Sequence, residues 1–287
     1  MRRYWFGDIE GGACSGAVRD TAALVERYLA LTEEGGQAAR ALGPDVEEAV
    51  RCGCFADRDQ YVAILREMTI ALAEEEIRKC FGKGDVELAQ MVRLLDELDE
   101  VINLLTEKST EWYLVKNPAF SRKYRSCNAK KMVGIMKRDR TSLGRVAGEV
   151  DRLSATRSTL TKEISHRADI LLPNCSALVG GLVAARILAR AGGLSSLASF
   201  PSSTIQVLGA ENALFTHLRA GSPSPKHGII FQHRRVHNAP KQIRGRVARV
   251  LAGKLAIAAR IDAYRGEADE AFLEKAQAAI DRAGETA

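Results

Sequence analysis

Acidic residues are absent from one long part of this chain of 287 residues. Between Asn212 and Ile261 there is no Asp or Glu, although the whole protein has 36 of them, and the same stretch carries ten Lys or Arg. Those ten exceed the formal net charge of +6, so the excess positive charge is concentrated in one segment. Charge segregated in this way predicts a surface for a polyanion, nucleic acid first of all. A solvated basic face that binds nothing is the alternative.

Aromatic residues and prolines are scarce, and long apolar runs are missing. Aromatics make up 6% of the residues and there are seven prolines, a composition that favours helix almost throughout. No stretch of about 18 uncharged apolar residues occurs, which argues against a membrane span. Asp8 and Glu10 interrupt the opening residues, which therefore do not have the pattern of a secretory signal. We expect a cytoplasmic protein.

The six cysteines lack the spacing of a metal or redox motif. Only Cys52 and Cys54 are close, and a C-x-C pair differs from the C-x-x-C motif of zinc knuckles. We interpret all six cysteines as reduced thiols. His233 and His237, with His227 nearby, have no Cys, Asp or Glu among them to complete a metal site. We therefore expect no metal there and assign these histidines to nucleic-acid contacts or local hydrogen bonds.

Catalytic and nucleotide-binding patterns are missing as well. The glycine pairs near positions 11 and 82 do not match the spacing of a phosphate-binding loop. Glu211 has no acidic partner in the following fifty residues, so it fits a helix start or a partner contact better than a general base. We expect no catalytic residues and no cofactor, and we expect that the protein is not an enzyme.

The residue pattern predicts a mainly α protein in three parts. Residues 1–58 form a small α+β module, with a β-like opening at Tyr4, Trp5 and Phe6 and a helix from Thr21 to Leu31. Residues 59–168 form a helical, partly coiled-coil domain. Residues 169–287 form an all-α domain that ends in a strong amphipathic helix, Lys241 to Tyr264, with one face apolar and the other basic.

The middle part has sustained helical periodicity. One helix begins near Asp59, with Asp57 or Asp59 as its cap, and a second begins at Asp85 and has an acidic exposed face. A third zone has a heptad seam with one polar interruption, Arg157. Its positions, spaced four and three apart, are Val146, Val150, Leu153, Arg157, Leu160 and Ile164. This pattern predicts a coiled-coil arm, formed within one chain or between two copies; an ordinary packed helix is the alternative.

Ordered sequence words run through residues 171–267, and they resemble a known family. They include GLVAAR at 181–186, PSSTIQVLGAE at 201–211, ALF at 213–215, PKHGIIF at 225–231 and AIAARIDA at 256–263. This stretch resembles the Nop domain of archaeal and eukaryotic box C/D ribonucleoprotein scaffolds and of a related spliceosomal protein of the U4 particle. Residues 59–113 resemble the first helices of the same family more weakly.

The resemblance implies partners and a binding surface. Nop domains grip a kink-turn RNA together with the small ribosomal-type protein already bound to it, the N-terminal domain recruits the methyltransferase fibrillarin, and the helical arm dimerises. Transferred to this chain, RNA contacts are expected from Lys226, His227, Arg234, Arg235, Lys241, Arg244, Arg246, Arg249 and Lys254. Contacts to the composite of RNA and protein are expected from Gln206, Gly209, Ala210, Glu211 and Asn212. An archaeal protein of this kind would be cytoplasmic and a eukaryotic one nucleolar.

The function implied is that of a non-catalytic scaffold for guide-RNA-directed 2′-O-methylation of ribosomal and transfer RNA. Three departures from the family keep other functions open: Asn212 stands where the family usually has Lys, Leu114 to Pro118 replace a His-Phe-Pro-Glu run, and the arm is short. One alternative is a divergent paralogue that binds the kink-turn particle without recruiting a methyltransferase. The other, an enzyme that acts on RNA, needs acid/base or metal groups that the basic stretch does not contain.

Overall fold

A computed structural model describes residues 2–33, 46–82, 84–123 and 127–285, with the side chains of residue 80 and residues 121–123 also outside the description. The chain divides into two compact units, Met1–Gly82 and Lys83–Ala287. The mainly α class with a small N-terminal α+β module is confirmed, since 76% of the structure is helical and the first unit contains a small antiparallel sheet. The boundaries predicted from sequence, near residues 58 and 168, remain predictions about functional parts.

The first unit packs a three-stranded meander against helices. Its elements are β1 (Arg2–Tyr4), β2 (Gly7–Glu10), β3 (Ala13–Ser15), α1 (Thr21–Glu33), α2 (Val46–Arg51) and α3 (Arg58–Phe81). The predicted strand at Tyr4, Trp5 and Phe6 is only partly right, because β1 ends at Tyr4 and the next two residues form the turn into β2. A strand would send neighbouring side chains to opposite faces, whereas the turn lets Trp5 and Phe6 both enter the core.

An aromatic cluster fills the core of the first unit. The rings of Phe55 and Tyr61 pack against those of Trp5 and Phe6, with centroid distances of 5.0 to 6.3 Å. Tyr61 lies on α3, whose start is capped by Asp57: the carboxylate accepts a hydrogen bond of 2.7 Å from the amide of Gln60. The sequence left Asp57 and Asp59 open as caps, and the structure selects Asp57.

Cys14 and Cys54 form a disulfide in the first unit, so the interpretation of all six cysteines as reduced thiols is wrong for this pair. The backbone brings them together, because the amide of Cys14 donates to the carbonyl of Cys52, 3.1 Å away, and the two Cα atoms of the pair are 5.3 Å apart. Sequence spacing could not reveal a pairing across 40 positions. Cys52, Cys127 and Cys175 are free thiols.

The second unit begins with an antiparallel helical arm. It consists of α4 (Gly84–Lys116), the two short helices α5 (Pro118–Lys123) and α6 (Ala129–Met136) at its tip, and α7 (Ser142–Leu171). Ion pairs from Arg167 to Glu87, from Arg157 to Asp99 and from Lys116 to Asp139 mark the antiparallel register along the rod. At about 1.5 Å per residue, α4 is roughly 50 Å long.

Arg157, the polar position in the heptad seam, has a partner across the arm. Its Nε and Nη2 donate to the two carboxylate oxygens of Asp99, at 2.6 and 3.1 Å, and this hydrogen bonding is the main cause that lowers the pKa of Asp99. The seam therefore lies within one chain, between α4 and α7. A partly exposed pair contributes only about 0 to 1 kcal/mol, so its main effect is to fix the register.

The remaining helices form the C-terminal part of the second unit. They are α8 (Pro173–Val179), α9 (Gly181–Ala191), α10 (Leu194–Ser199), α11 (Ser202–Val207), α12 (Glu211–Ala220), the 3-10 turn Ile229–Gln232, α13 (Arg234–His237), α14 (Arg244–Tyr264) and α15 (Glu270–Glu285). The last strong helix begins at Arg244 rather than at Lys241 as predicted. Pro240 and the turn after it delay the helix: the carbonyl of Pro240 accepts from the amides of Ile243 and Arg244, at 3.1 and 2.9 Å.

One hydrophobic core joins the base of the arm to the C-terminal helices. Leu95 of α4, Ile164 of α7, Leu188 of α9 and Leu251 of α14 belong to the same buried cluster. Within the described residues no single helix has the length and apolar composition to cross a membrane. Helices α8 and α9 have that length and composition only when counted together, and they are bent by 119° relative to each other.

We expect the Cys14→Ser variant to lower the thermal stability of the first unit. A cross-link that closes a loop of 40 residues contributes roughly 4 kcal/mol in the chain-entropy picture. Thermal melts with and without reductant would measure it: reductant should lower the midpoint of the unchanged protein and leave that of Cys14→Ser unaltered. Cys52→Ser is the matched control, since Cys52 is free. A reductant-insensitive midpoint in the unchanged protein would contradict the pairing.

Candidate nucleic-acid interface

The loop that carries Lys226 and His227 is pinned to α11 by paired hydrogen bonds. The amide of Gly228 donates to the carbonyl of Gln206 (2.9 Å), and the side-chain Nε2 of Gln206 donates to the carbonyl of Lys226 (2.8 Å). A Cβ at Gly228 would lie 2.0 Å from the carbonyl oxygen of Leu208, so only glycine permits this approach. Gln206 thus positions the loop in addition to lining the surface.

A groove of about 560 Å³ runs between this loop and the start of α14. It brings together three of the predicted cations, Lys226, Arg246 and Arg249, with no carboxylate among its lining residues. Its other walls are Ser203, Gln206, Val207, Ser224, Pro225, Gln242 and Gly245. Three cations among hydroxyl and amide groups suit a phosphate backbone, which is bound through charge and hydrogen bonds.

An aromatic stack stands beside the groove. The ring of His227 stacks on Phe231 with centroids 4.5 Å apart and planes 16° apart, and His237 contacts the same Phe ring at 5.1 Å. Partial burial, and then the nearby charge of Arg244, lower the pKa of His227 below its ordinary value. At neutral pH the half-buried imidazole is therefore uncharged, and it offers an aromatic plane on which a base can stack.

Arg244 holds this local structure together. Its guanidinium lies 5.2 Å from the centroid of Phe231 and donates to the carbonyls of Ala239, at 3.0 and 3.2 Å, and His237, at 3.3 Å. These contacts satisfy carbonyl groups just before α14. Arg244 is thus engaged within the protein, in contrast to Arg249 in the groove.

The last helix engages two more of the predicted cations. Asp281 of α15 forms an ion pair of 2.6 Å with Arg235, and the carbonyl of Ala283 accepts a hydrogen bond of 3.0 Å from Arg246. Arg246 therefore contacts both α15 and the groove. Arg235 is partly neutralised.

Three further predicted cations lie outside the groove lining. Arg234 and Lys241 are exposed, and the Lys241 carbonyl accepts a long hydrogen bond, 3.4 Å, from the Nζ of Lys226. Lys254 is half-buried on α14. The nine predicted RNA contacts are thus spread over several surfaces, and three of them converge on one groove.

A second group of predicted residues lies at the start of α12. Glu211 is the first residue of this helix, as expected, and both its carboxylate oxygens accept from Arg190, at 3.1 and 2.7 Å. It also accepts from the amide of Gly209 (2.8 Å). The hydrogen bond from Arg190 is the main cause that lowers the pKa of Glu211 to about 2. Glu211 therefore stays ionised throughout the physiological range and holds the turn before the helix.

Gly209 and Glu211 line a second groove, of about 770 Å³, between α4 and α9. Arg186 crosses it, donating to Asp96 of α4 (2.9 Å) and to the side chain of Gln232 (2.8 Å). Sequence reasoning missed both Arg186 and Arg190. The charge pattern that could have found them is the repeat of Arg four residues apart on an otherwise apolar helix.

Helix α12 itself has no buried side chain. Phe215 and Leu218 are 62% and 70% exposed, so the helix presents an apolar surface to solvent. Ala210 precedes it, and Asn212, in its first turn, is exposed. Apolar surface of this kind is typical of a contact with a protein partner.

The three nearby histidines do not form a metal site in the part of the chain that the structure describes, where no group of three or more His, Cys, Asp or Glu could hold an ion. His227 and His237 share contacts with Phe231. Burial lowers the pKa of His233, which directly precedes α13 and whose carbonyl accepts a hydrogen bond of 2.9 Å from the amide of His237.

Comparisons with known proteins identify relatives. The sequence family described as Nop, snoRNA binding domain, fibrillarin, matches residues 69–283. The chain is 33% identical over 262 residues to an uncharacterised NOP5 family protein of Methanocaldococcus jannaschii, a match covering 78% of this chain and 63% of that protein. It is 30% identical over 247 residues to nucleolar protein 58 of Candida albicans, covering 72% of this chain and 48% of that protein.

A solved structure is also similar. A chain in the crystal structure of a fibrillarin/Nop5p complex aligns with 98% of this chain and 98% of its own length, with a TM-score of 0.52 and 28% identity. The chain spans about 63% of the length of the archaeal relative and about half that of the yeast one.

We expect Arg249→Ala to change RNA binding alone and Arg244→Ala to change the thermal stability of the protein as well. Loss of Arg249 should weaken binding of RNA similarly for all sequences and reduce the slope of log K against log salt by about 1, as a lost phosphate contact does. Loss of Arg244 should also lower the melting temperature, because it leaves the carbonyls of His237 and Ala239 without this donor. Filter binding at several salt concentrations and thermal melts would test both.

Lys275→Ala is the matched control, since Lys275 is an exposed cation on α15 outside both grooves. Equal losses of RNA affinity for Lys275→Ala and Arg249→Ala would show that only net charge matters. In that case the groove has no special role.

Proposed function

The chain belongs to the Nop family, and we propose that it is a non-catalytic scaffold of a box C/D guide-RNA ribonucleoprotein. The observation that carries the proposal is the groove in which Lys226, Arg246 and Arg249 converge beside the stacked ring of His227. Such an arrangement suits an RNA whose backbone is bent and whose base is unpaired, as in a kink-turn.

The composite partner surface is proposed to have two halves. The groove and His227 contact RNA, and the exposed apolar face of α12, with Phe215 and Leu218, contacts the small kink-turn-binding protein. Gly209 and Glu211 link the two, because they close the turn between α11 and α12. Asn212 lies on this face as well, so the replacement of the usual Lys would alter the protein contact more than the groove.

We further propose that the first unit recruits fibrillarin for 2′-O-methylation, by analogy with the fibrillarin/Nop5p complex. The alternative is a divergent paralogue that binds the kink-turn particle without recruiting a methyltransferase. An enzyme acting on RNA is less well supported, because the basic groove has no carboxylate among its lining residues.

The arm is proposed to form a homodimer. Five large apolar side chains on α4 are exposed, and helical geometry gathers them on one side of the helix, turned away from Leu95, which packs inward. They are Leu94, Val101, Leu104, Trp112 and Val115. An apolar stripe of this length on a rod suits a second helix of the same kind.

A gel-shift titration with a kink-turn RNA, with and without the small kink-turn protein and then with fibrillarin, tests the function. Binding that requires the preformed RNA–protein complex, followed by a supershift, is the result expected. Binding without a supershift would favour the divergent paralogue. No binding in either case would remove the scaffold from consideration.

His227→Ala should weaken binding of the kink-turn particle by about 1 to 3 kcal/mol, which is typical of a lost stack on a base. His227→Phe should keep most of the affinity, because it preserves an aromatic plane and the contact with Phe231. Equal losses in the two variants would point to a hydrogen-bonding role of the imidazole instead. Titration of both variants at one salt concentration gives the answer.

Val101→Glu combined with Leu104→Glu should convert a dimer into a monomer, because it places two carboxylates in an apolar contact. Light scattering coupled to size-exclusion chromatography measures the mass. Asn103→Glu, exposed on another face of α4, is the matched control and should leave the mass unchanged. A wild-type protein that is monomeric at tens of micromolar would refute the dimer directly.

A further inference from the structure

The tip of the helical arm carries a second concentration of positive charge. From Lys116 to Arg145 the chain has ten Lys or Arg and a single acidic residue, Asp139. This density is higher than that of the basic stretch between residues 212 and 261, which has ten cations in about fifty residues. None of the candidate RNA contacts in the C-terminal part lies in this segment.

The charge changes sign along the arm. From Gly84 to Glu111, α4 carries eight acidic and two basic residues, so the shaft repels a polyanion that the tip attracts. A general basic character of the chain would not produce such a pattern. Segregation along a rod confines the attractive surface to one end.

The acidic group at the tip is directed inward. The carboxylate of Asp139 accepts from the Nζ of Lys116 (2.7 Å) and from the amide and hydroxyl of Thr141 (2.8 and 2.6 Å). The ammonium of Lys116 is the main cause that lowers the pKa of Asp139 to about 2. Asp139 therefore closes the turn between α6 and α7 and leaves the cations on either side of it, Arg138 and Arg140, exposed.

The exposed cations of the tip lie on helices that are packed around a small hydrophobic core. Met132, Val133 and Met136 of α6 are buried against Leu143 and Val150 of α7, which leaves Lys130 and Lys131 on the solvent side of α6. A Cβ at Gly144 would lie 1.8 Å from the carbonyl oxygen of Asp139, so the turn is packed as closely as glycine permits. Exposed cations on a fixed frame lose less entropy when they bind than cations on a free tail.

We propose that the tip of the arm is a second RNA-binding site, which takes the phosphate backbone through Lys130, Lys131, Arg138, Arg140 and Arg145. Lys137 takes part less, because it pairs with Asp151 at 2.5 Å. The aromatic rings described nearby, Tyr113 and Phe120, pack against each other in the tip cluster. Contacts to phosphates without stacking carry little sequence information, so binding is independent of sequence.

The site is separate from the groove of the C-terminal part. From Arg145 to Ile164, where α7 enters the main core, is 19 residues, or about 28 Å of helix. An RNA long enough to contact both the groove and the tip would therefore have to span the acidic shaft between them. That the polyanion is RNA rests on the proposed function, while the existence of the site rests on charge and geometry alone.

The test compares two triple variants with equal loss of charge. Lys130→Gln, Lys131→Gln and Arg138→Gln remove three cations from the tip, and Lys108→Gln, Arg152→Gln and Lys162→Gln remove three from the shaft. The probe is a 20-base-pair RNA duplex with no kink-turn, titrated against the full chain at several salt concentrations. We expect the tip variant to lose about tenfold or more in affinity at 0.1 M salt and about 3 in the salt slope, and the shaft variant to stay near the unchanged protein.

Equal losses in both variants, or none in the tip variant, would overturn the proposal. Circular dichroism establishes that the variants are folded, and protection of Lys130 and Lys131 from an amine-reactive reagent by the duplex tests the unchanged protein without any substitution. Protection by polyglutamate but not by RNA would assign the tip to an acidic protein and also overturn the proposal. A kink-turn titration in parallel separates this result from the proposed function, because the groove is intact in the tip variant.

Discussion

The buried carboxylate of Asp262 is the contact on which the C-terminal part depends. This residue, only 3% exposed, accepts hydrogen bonds from the amides of Asn174 and Cys175 and from the side chain of Asn174, at 2.7 to 3.0 Å. Asn174 in turn bonds to the carbonyl of Glu267 and the amide of Asp269. A buried charge is tolerated only with such compensation, so the start of α8, the end of α14 and the start of α15 are fixed together.

The fixed end of α14 determines where its other end presents cations. Arg246 and Arg249 lie about four turns before Asp262, on the helix that this carboxylate anchors, and Arg246 also reaches the carbonyl of Ala283 on α15. The basic stretch thus contains two kinds of cation. Arg244 and Arg235 are engaged by groups of the protein, whereas Arg249 and Lys226, which makes only a long hydrogen bond to the carbonyl of Lys241, line the groove. Total charge describes the whole stretch and does not separate the two kinds.

Local patterns predicted the helices well, and long-range pairings could not be predicted. The periodicity that begins near Asp59, with Asp57 as one of two candidate caps, predicted the start of α3, because caps and periodicity act within a few residues. The contacts of Glu211 with Arg190 and of Cys14 with Cys54 join residues 21 and 40 positions apart. No local rule gives such pairs. The inward direction of Arg244 likewise depends on Phe231, which only the folded loop brings near.

The resemblance to a family supplied candidate residues that composition could not supply. The structure places these candidates on different surfaces. Gln206 and Glu211, assigned together to a composite contact, lie on different grooves and each holds a turn in place. The same residue can therefore line a surface and fix its shape. Substitution at either position would change geometry and contact at once, so neighbours such as Arg249, which have exposed side chains in the groove, report more directly on a ligand.

The junction between the arm and the C-terminal part makes the second unit behave as one rigid element. Helix α7 ends at Leu171 and α8 begins at Pro173, so a single residue, Leu172, separates them, and it is fully buried. Leu88 and Val92 of α4 lie in the same core as the C-terminal helices. A hinge would need exposed backbone with few apolar contacts. At this junction Leu172 is buried and packs in the main core, so the junction does not meet that requirement. The distance between the tip of the arm and the groove is therefore set by the fold. A single ligand of sufficient length can contact the cations of both.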